Sequence, residues 1–324
     1  MSSEPKDPTT QLMRATPRLV LIDGFAILHR AYHALPPLTN RSGELLNAVY
    51  GFCTMLFKVI NDLSPSFLVV ALDLPGSTFR HEEFIGYQAK RPRMDIELSG
   101  QVRWVKEILE AMGIPIFELE GYEADDIIGT LSSKAWEKKI QSVIVTGDKD
   151  LFQLVKKGIK IFAPVRGLSQ GEILDSRKVQ ERMGVEPSQI VDYKALVGDS
   201  SDNYPGVSGI GPKTAVALLE KFGNLNKIYQ NLNKVEKDFG ETMTKKLVDG
   251  QESAWLSYKL AKIITDLPIK LKLETAKFEF SQEEKKATIE KLKELGLKSL
   301  AARLEGKNKK QPEKDEKNKQ LILI

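Results

Sequence analysis

The chain has 324 residues, of which 41% are hydrophobic and 28% are charged, a balance typical of a folded protein with a substantial core. Its single cysteine excludes an intrachain disulfide and a thiolate metal cluster, and no apolar run of eighteen residues occurs, so no membrane span is expected. The net charge is +4, but residues 306–320 hold six lysines against three acids, so any basic footprint for nucleic acid on the remaining chain must be local.

The two ends of the chain differ in composition from the part between them. Residues 1–17 are polar and rich in proline, without the apolar stretch of a signal peptide, and are predicted to be a disordered extension. Residues 305–324 are predicted to be a disordered, lysine-rich tail. Between them we predict an α/β core at residues 18–186 and a helical region at residues 187–304. A cytoplasmic protein is expected.

Short apolar runs alternate with helical patterns in the first half of the chain. This alternation predicts an α/β fold in which a parallel sheet is wrapped by helices. The predicted strands are residues 18–22, 67–72, 114–119 and 142–146. The predicted helices in this part are residues 44–63, 97–112 and 123–138.

Acidic residues follow each of the four predicted strands. Because ligand sites in open parallel sheets lie at the carboxyl ends of the strands, we expect these acids to converge on one edge. In chain order they are Asp23, Asp73, Glu123, Asp125, Asp126, Asp148 and Asp150.

Each of these acids, taken alone, has a simpler explanation as a turn former or as a residue that favours a helix start. Taken together, closely packed carboxylates destabilise a protein unless they are protonated or bridged by cations. Mg²⁺ is the cation that best suits oxygen ligands, so the pattern predicts a magnesium site. A further pair, Asp199 and Asp202, is by itself equally well explained as a capped loop.

The segment 205–215 predicts an element that grips the backbone of DNA. Its glycines allow a phosphate to approach the main chain, and the following helix start offers free amides and a lysine. Between the predicted helices 189–197 and 213–222, this segment indicates a helix–hairpin–helix element, which holds one strand without reading its sequence. A plain packing corner is the alternative. The DNA-binding candidates here are Gly206, Gly209, Gly211, Lys213 and Thr214.

Several ordered motifs resemble the flap-endonuclease superfamily, specifically the 5′-nuclease domain of bacterial DNA polymerase I and its standalone relatives. The resemblance covers roughly residues 18 to 265. The motifs are Leu-Ile-Asp-Gly at 21–24, Ala-Leu-Asp at 71–73 with Thr-Phe-Arg at 78–80, Gly-Tyr-Glu-Ala-Asp-Asp at 121–126, Thr-Gly-Asp-Lys-Asp at 146–150 and Gly-Asp-Ser-Ser-Asp-Asn at 198–203. The segment 30–40 is similar to that family too.

The resemblance implies a PIN-like nuclease core with a flexible arch at residues 74–100 and a helix–hairpin–helix region. It implies two Mg²⁺ ions about 4 Å apart, for which Mn²⁺ can substitute, and a K⁺ ion held by hairpin carbonyls around residues 207–210. It also adds Arg30 to the DNA-binding candidates. The implied metal ligands are Asp23, Asp73, Glu123, Asp125, Asp126, Asp148, Asp150, Asp199 and Asp202.

The arch departs from the family pattern Tyr-Lys-x-x-Arg-Pro at one position, where Gln88 replaces the expected lysine. Lys90 lies two positions further on, which is a different face of a helix. We expect Arg80, Lys90 and Arg91 to line the path of the 5′ strand and to act in catalysis, and Tyr87 to stack on a displaced base. A solvated loop is the simpler alternative for this basic cluster.

These features predict a structure-specific 5′→3′ exonuclease and flap endonuclease that acts on DNA with 5′ flaps, nicks or branches. Such an enzyme removes flaps or RNA primers in replication and repair, and we expect a monomer with a polymerase or a ligase as possible partners. Two alternatives stay open: a DNA-binding module whose catalysis is impaired by Gln88, and a ribonuclease on a related fold.

Overall fold

A computed structural model describes residues 17–91, 94–166 and 170–306. The predicted N-terminal extension, apart from its last residue, and the predicted tail, apart from its first two, lie outside the described residues. In the described part, a six-stranded sheet with helices on both faces is followed by a helical region. The expected α/β fold is therefore present.

The sheet contains five parallel strands and one antiparallel edge strand, in the order β3-β2-β1-β4-β5-β6. The four strands predicted from the sequence are all present, although β3 retains only two residues. The last two strands, β5 and β6, were not predicted. The strands are β1 (Arg18–Asp23), β2 (Phe67–Ala71), β3 (Ile116–Phe117), β4 (Gln141–Val145), β5 (Ile159–Arg166) and β6 (Gln170–Leu174).

Strand β1 lies near the middle of the sheet and is buried along its whole length. Leu19 and Leu21 point into one apolar cluster, whereas Val20 and Ile22 point into the cluster on the opposite face. A strand covered on both faces reads as a continuous apolar run, which is why the sequence shows no alternation here.

Helices cover both faces of the sheet. The helix α1 had not been predicted from the sequence, and the short α3 begins the arch. The helices of this part are α1 (Gly24–Ala34), α2 (Asn47–Leu63), α3 (Phe79–Glu83), α4 (Ile96–Ala111), α5 (Ala124–Glu137) and α6 (Ser176–Met183).

The chain beyond residue 186 is mainly helical, as predicted. Its helix α7 packs against both α8 and α12, and its apolar residues join the cluster on one face of the sheet. No helix in the described ranges meets the length and hydropathy that crossing a membrane requires. The helices are α7 (Ile190–Val197), α8 (Pro212–Phe222), α9 (Leu225–Gln230), α10 (Leu232–Phe239), α11 (Glu241–Asp249), α12 (Gln251–Ala261), α13 (Leu273–Ala276), α14 (Gln282–Glu294) and α15 (Lys298–Leu304).

Candidate metal centre and nucleic-acid interface

The carboxyl end of β1 carries the first acid of the site. Asp23 is the last residue of the strand and also caps helix α1, because its Oδ1 accepts a hydrogen bond from the Ala26 amide at 3.0 Å. Its Oδ2 accepts a bond from Thr146 Oγ1 at 2.7 Å, and Thr146 follows the neighbouring strand β4. The two strand ends are thereby tied together at the edge where the acids were expected.

The end of β2 and the start of helix α5 meet at the same edge. Asp73 Oδ1 accepts a hydrogen bond from the Ala124 amide at 2.7 Å, so this acid lies against the first turn of α5. Glu123 caps that helix, and its Oε1 accepts a bond from Thr78 Oγ1 at 3.3 Å. Asp73 and Glu123 thus both lie at the start of α5, at the sheet edge where they were predicted to converge.

Asp125, on the first turn of α5, faces the acids from the other strand ends. Its pKa lies well above the ordinary range, first because the group is buried and then because Asp148, Asp23 and Asp150 place negative charge around it. Burial likewise raises the pKa of Asp23 and of Glu123 to about 7. Carboxylates packed in this way favour a bound cation over the empty ionised state.

A second group of acids lies beside the first. Carboxylate oxygens of Asp150, Asp199 and Asp202 all lie within 4.8 Å of one another, a spacing that suits three ligands of one ion. Lys194 on helix α7 points into this group and forms ion pairs with Asp150 and, at 2.6 Å, with Asp199. Lys194 was not among the site residues predicted from the sequence. The signal was a single lysine within the apolar helix that leads to Asp199.

Lys194 changes the charge balance of the second group. Although burial acts against its positive charge, Asp150 and Asp199 hold the pKa of this lysine above its ordinary value. Burial acts to raise the pKa of Asp199, but the Lys194 ammonium and hydrogen bonds from Ser201 bring that pKa down to about 2. Burial outweighs the lysine at Asp150, whose pKa is raised to about 6. The second group therefore contains an internal counterion.

Asp126 and Arg80 take a different place from the one predicted. The Arg80 guanidinium forms two hydrogen bonds with the Asp126 carboxylate, at 2.7 and 2.9 Å, and donates a third to the Leu260 carbonyl. Asp126 Oδ1 also accepts from the Ile264 amide. Both side chains are buried, so Arg80 is not available to a phosphate and Asp126 is not directed at an ion. In this structure the two residues form a buried ion pair, and the catalytic role of Arg80 and the metal-binding role of Asp126 stay predictions.

The arch residues 84–91 lie over the acids. Tyr87 is 3% exposed and its hydroxyl faces Glu123 Oε2 at 3.3 Å and Asp202 Oδ2 at 3.4 Å. In this conformation the ring is covered and offers no face to a displaced base, so the stacking role of Tyr87 stays a prediction. Lys90 and Arg91 are exposed.

Arg91 is the arch cation whose charge reaches the acids. Burial raises the pKa of Asp73 and of Asp202, and the Arg91 guanidinium acts in the opposite direction on both. The charge of Arg91 therefore acts on one acid of each carboxylate group.

The hairpin has the backbone geometry that its glycines suggested. Gly206 and Gly209 adopt φ values of +64° and +75°, in the region that favours glycine. A Cβ at Gly206 would lie 2.3 Å from the Gly198 amide nitrogen, so only glycine fits there. Pro212 occupies the first turn of α8, and its neighbour Lys213 is exposed.

The other DNA-binding candidates lie at the start of α8 and within α1. Gly211 is the N-cap of α8, and Thr214 lies half-buried in its first turn. Arg30 lies half-buried on α1, the helix that Asp23 caps. These three residues stay predictions, as do the other site residues.

The hairpin carbonyls are already engaged by protein groups. Lys246 Nζ donates to the Gly209 carbonyl at 3.1 Å, Ser253 Oγ donates to the Gly206 carbonyl at 2.7 Å, and the Ile210 amide donates to the Val207 carbonyl at 3.1 Å. A potassium ion at the predicted place would have to replace the Lys246 ammonium.

Two family models together match most of the chain. Residues 18–184 match the 5′-3′ exonuclease N-terminal resolvase-like domain, and residues 185–286 match the 5′-3′ exonuclease C-terminal SAM fold. The chain belongs to the 5′-3′ exonuclease family. The N-terminal domain of this family contains the sheet with its acids, and the C-terminal domain contains the hairpin.

The chain is similar both to a separate 5′-3′ exonuclease and to part of the longer DNA polymerase I proteins. The 5′-3′ exonuclease of Aquifex aeolicus is 40% identical over 282 residues, which is 87% of this chain and 93% of that protein. DNA polymerase I of Bacillus caldotenax is 41% identical over 288 residues, which is 89% of this chain but 32% of the polymerase. The chain thus spans about a third of the length of that polymerase.

Solved structures share the fold at lower identity. The flap endonuclease of bacteriophage T5, in a pseudo-enzyme–product complex with DNA and metal ions, superposes with a TM-score of 0.61 and 19% identity. The match covers 89% of this chain and 98% of the T5 protein. This likeness establishes a common architecture for the sheet and the helical region.

Proposed function

We propose that this protein is a divalent-metal-dependent 5′-nuclease that hydrolyses phosphodiester bonds in flapped, nicked or branched DNA. The observation that carries the proposal is the gathering of two carboxylate groups, one around Asp125 and one formed by Asp150, Asp199 and Asp202, at one edge of the sheet. In the cell, this activity would remove flaps or RNA primers during replication and repair.

The donor set fits Mg²⁺. In the part of the chain that the structure describes, both groups offer carboxylate oxygens and neither includes a histidine or cysteine ligand. Hard oxygen ligands select Mg²⁺, with Mn²⁺ as its closest substitute, over softer metals. Two bound ions would lower the pKa of the attacking water and neutralise the charge that develops on the leaving oxygen.

Protein residues would perform the rest of the reaction. Asp23, Asp73, Glu123, Asp125 and Asp148 would hold the first ion, and the second group would hold the other. Arg91 would contact the phosphate next to the acids, which stabilises the developing charge. In-line attack would leave a 5′-phosphate and a 3′-hydroxyl end.

The hairpin would hold the duplex part of the substrate. The free amides at the start of α8 and the exposed Lys213 are suited to a phosphate oxygen, and Gly211 allows a close approach. Arg30 and Thr214 would add further phosphate contacts. A K⁺ ion would be compatible with this grip once Lys246 releases the Gly209 carbonyl.

The proposed partners are DNA, a polymerase and a ligase, and the proposed location is the cytoplasm. The T5 complex with DNA and the polymerase relatives support DNA as the ligand and a polymerase as a partner that works on the same substrate. A ligase would follow, because the proposed ends are those that a ligase joins after the gap is filled. A monomeric, cytoplasmic protein remains our prediction.

The direct test is cleavage of three matched substrates in Mg²⁺. We expect rapid cutting of a 5′-flap DNA at the branch, slower removal of nucleotides from a linear duplex and little cutting of an RNA of the flap shape. Preferential cutting of the RNA would favour the ribonuclease alternative. Tight binding of flap DNA without cutting in Mg²⁺ or Mn²⁺ would favour the DNA-binding module.

A further inference from the structure

The arch is joined to the second carboxylate group by direct hydrogen bonds. The Gln88 amide donates to the Asp202 carbonyl at 2.9 Å, and Gln88 Nε2 donates to Asp202 Oδ1 at 3.1 Å. From the other side, Asn203 Nδ2 donates to the Gly86 carbonyl at 2.7 Å. We call these contacts between residues 84–91 and residues 202–203 the arch link.

Both carboxylate oxygens of Asp202 face donors from the arch. Oδ1 accepts from Gln88, and Oδ2 lies 3.4 Å from the Tyr87 hydroxyl. The ring of Tyr87 packs in a small apolar cluster with Tyr204 and Leu260, which holds the arch down on this loop. A cation bound by Asp202 would therefore compete with the Gln88 N–H and the Tyr87 O–H for the same two carboxylate oxygens.

The backbone at the link is held in an uncommon conformation. Gln88 has φ +52° and Asn203 has φ +58°, both in the left-handed region. Glutamine adopts this region rarely, so the surrounding contacts must maintain it. Breaking the arch link would let Gln88 return to an ordinary conformation.

We propose that Gln88 is a positioning residue that ties the arch to Asp202, so that binding of the second divalent cation and release of residues 84–91 from the site are linked. This inference rests on the proposed function, because it requires that the second group binds a cation. Linkage is reciprocal: a cation that draws Asp202 away weakens the arch link, and a weaker arch link raises the affinity for the cation. The arch would cover the acids until they are loaded.

The identity of residue 88 sets the strength of this coupling. Gln88 is a neutral donor to the Asp202 carboxylate. A divalent cation displaces a neutral donor more readily than it displaces an ammonium group. The lysine expected from the family pattern would form an ion pair with Asp202 and add a positive charge next to the cation. Gln88 therefore makes the arch easier to release at low Mg²⁺ concentration.

The test is hydrogen–deuterium exchange of the arch amides in the full-length protein without DNA, with Mg²⁺ binding measured in parallel by calorimetry. In the wild type, amides of residues 84–91 should be protected in EDTA and should exchange faster as Mg²⁺ saturates the second group. In Gln88→Ala the amides of residues 84–91 should exchange fast even in EDTA. The affinity for the second ion should rise by about fivefold or more. Gln88→Lys should restore the protection and move its loss to higher Mg²⁺.

Asn203→Gly provides an independent variant. It keeps the positive φ without strain and removes only the donor to the Gly86 carbonyl, so it alters no carboxylate contact. We expect faster arch exchange and tighter binding of the second ion, which a purely local role of Gln88 at Asp202 would not produce. Gln180→Ala, at an exposed glutamine of α6, is the matched control and should change neither quantity.

The outcomes separate the two proposals. Two bound ions with unchanged arch exchange in the wild type would overturn the linkage and leave the proposed function intact. Unaltered Mg²⁺ affinity in both Gln88→Ala and Asn203→Gly would also overturn it. Absence of any Mg²⁺ binding by the wild type would remove the proposed function, and the linkage with it.

Discussion

Arg80 and Asp126 form a bidentate ion pair whose side chains are 3% and 0% exposed, with N–O distances of 2.7 and 2.9 Å. Removing one partner of such a pair leaves a buried charge uncompensated and costs about 3–5 kcal/mol. We expect Arg80→Met to lower the free energy of unfolding by this amount in urea denaturation.

The double variant Arg80→Met with Asp126→Leu should recover much of that loss, because neither charge then remains buried alone. The two variants also distinguish a structural role of Arg80 from a catalytic one. If Arg80→Met kept its stability and lost only single-turnover cleavage, Arg80 would be catalytic, as the sequence had suggested.

The stability of the metal-free protein should fall as the pH rises. Burial raises the pKa of Asp23 and Glu123 to about 7 and that of Asp150 to about 6 in the folded protein, above the values of the unfolded chain. Between about pH 4 and 7 the folded state therefore holds more protons than the unfolded state, so the unfolding free energy decreases through this window. We expect a loss of at least about 1 kcal/mol from pH 5.5 to 7.5 in EDTA.

Urea denaturation at several pH values, in EDTA and in saturating Mg²⁺, measures this slope. Mg²⁺ should flatten it, because a bound cation favours the ionised carboxylates at every pH. Asp23→Asn should reduce the slope in EDTA. A metal-free protein that became more stable towards pH 7.5 would contradict the electrostatic description of the site.

Asp125→Ala should reduce cleavage by orders of magnitude while DNA binding remains largely intact. The substitution removes one acid from a crowded group, so thermal stability in EDTA should hold or rise, since like-charge repulsion is relieved. Asp148→Ala should behave in the same way. Asp62→Ala, at an exposed surface acid, is the control and should affect neither activity nor stability. Wild-type cleavage by Asp125→Ala would remove this acid from the metal site.

Gly209→Asp should weaken duplex binding and leave Mg²⁺ affinity nearly unchanged. The new side chain would be strained at φ +75°, and its Cβ would lie 3.1 Å from the Lys246 side chain. Its negative charge would repel the phosphate that the proposed grip holds. Gly240→Asp is a matched control, because Gly240 also has positive φ but lies at a helix junction with open space around it. Fluorescence anisotropy with duplex DNA measures the affinity. Equal weakening in both variants would indicate strain alone and remove support for the grip.

Arg91→Ala should slow single-turnover cleavage of a 5′ flap at saturating enzyme on the order of 10²-fold, because a cationic contact to the developing charge is lost. Lys90→Ala should have a much smaller effect, since Arg91 is the arch cation whose charge acts on both Asp73 and Asp202. The reverse order of the two variants would assign the role to Lys90. Unchanged rates in both would mean that the arch does not touch the scissile phosphate.

The sheet and its acids could be predicted from sequence because local rules suffice for them. A buried parallel strand is a continuous apolar run, and the residue at its carboxyl end lies at the ligand edge, as Asp23 does at the end of β1. Strand β6 escaped prediction because an edge strand needs less apolar surface. The helix α1 escaped because only Asp23 and Gly24 separate its apolar residues from those of β1.

The partners of the acids could not be predicted, because they depend on distant parts of the chain. In sequence Asp126 resembles the neighbouring acids that are predicted metal ligands, but it forms an ion pair in the core with Arg80, 46 positions away. The same holds for Lys194 and Asp150, which lie 44 positions apart. Which acid faces an ion and which faces a cationic side chain is decided by tertiary packing.

Lys194 has a practical consequence for handling this protein. Many metal sites collapse when a chelator removes the ion, because their ligands have no other source of positive charge. Here the ammonium group remains covalently attached and continues to neutralise Asp150 and Asp199. EDTA should therefore act as a reversible switch: the purified protein can be stripped of metal, stored in the inactive state and reconstituted with a chosen divalent ion.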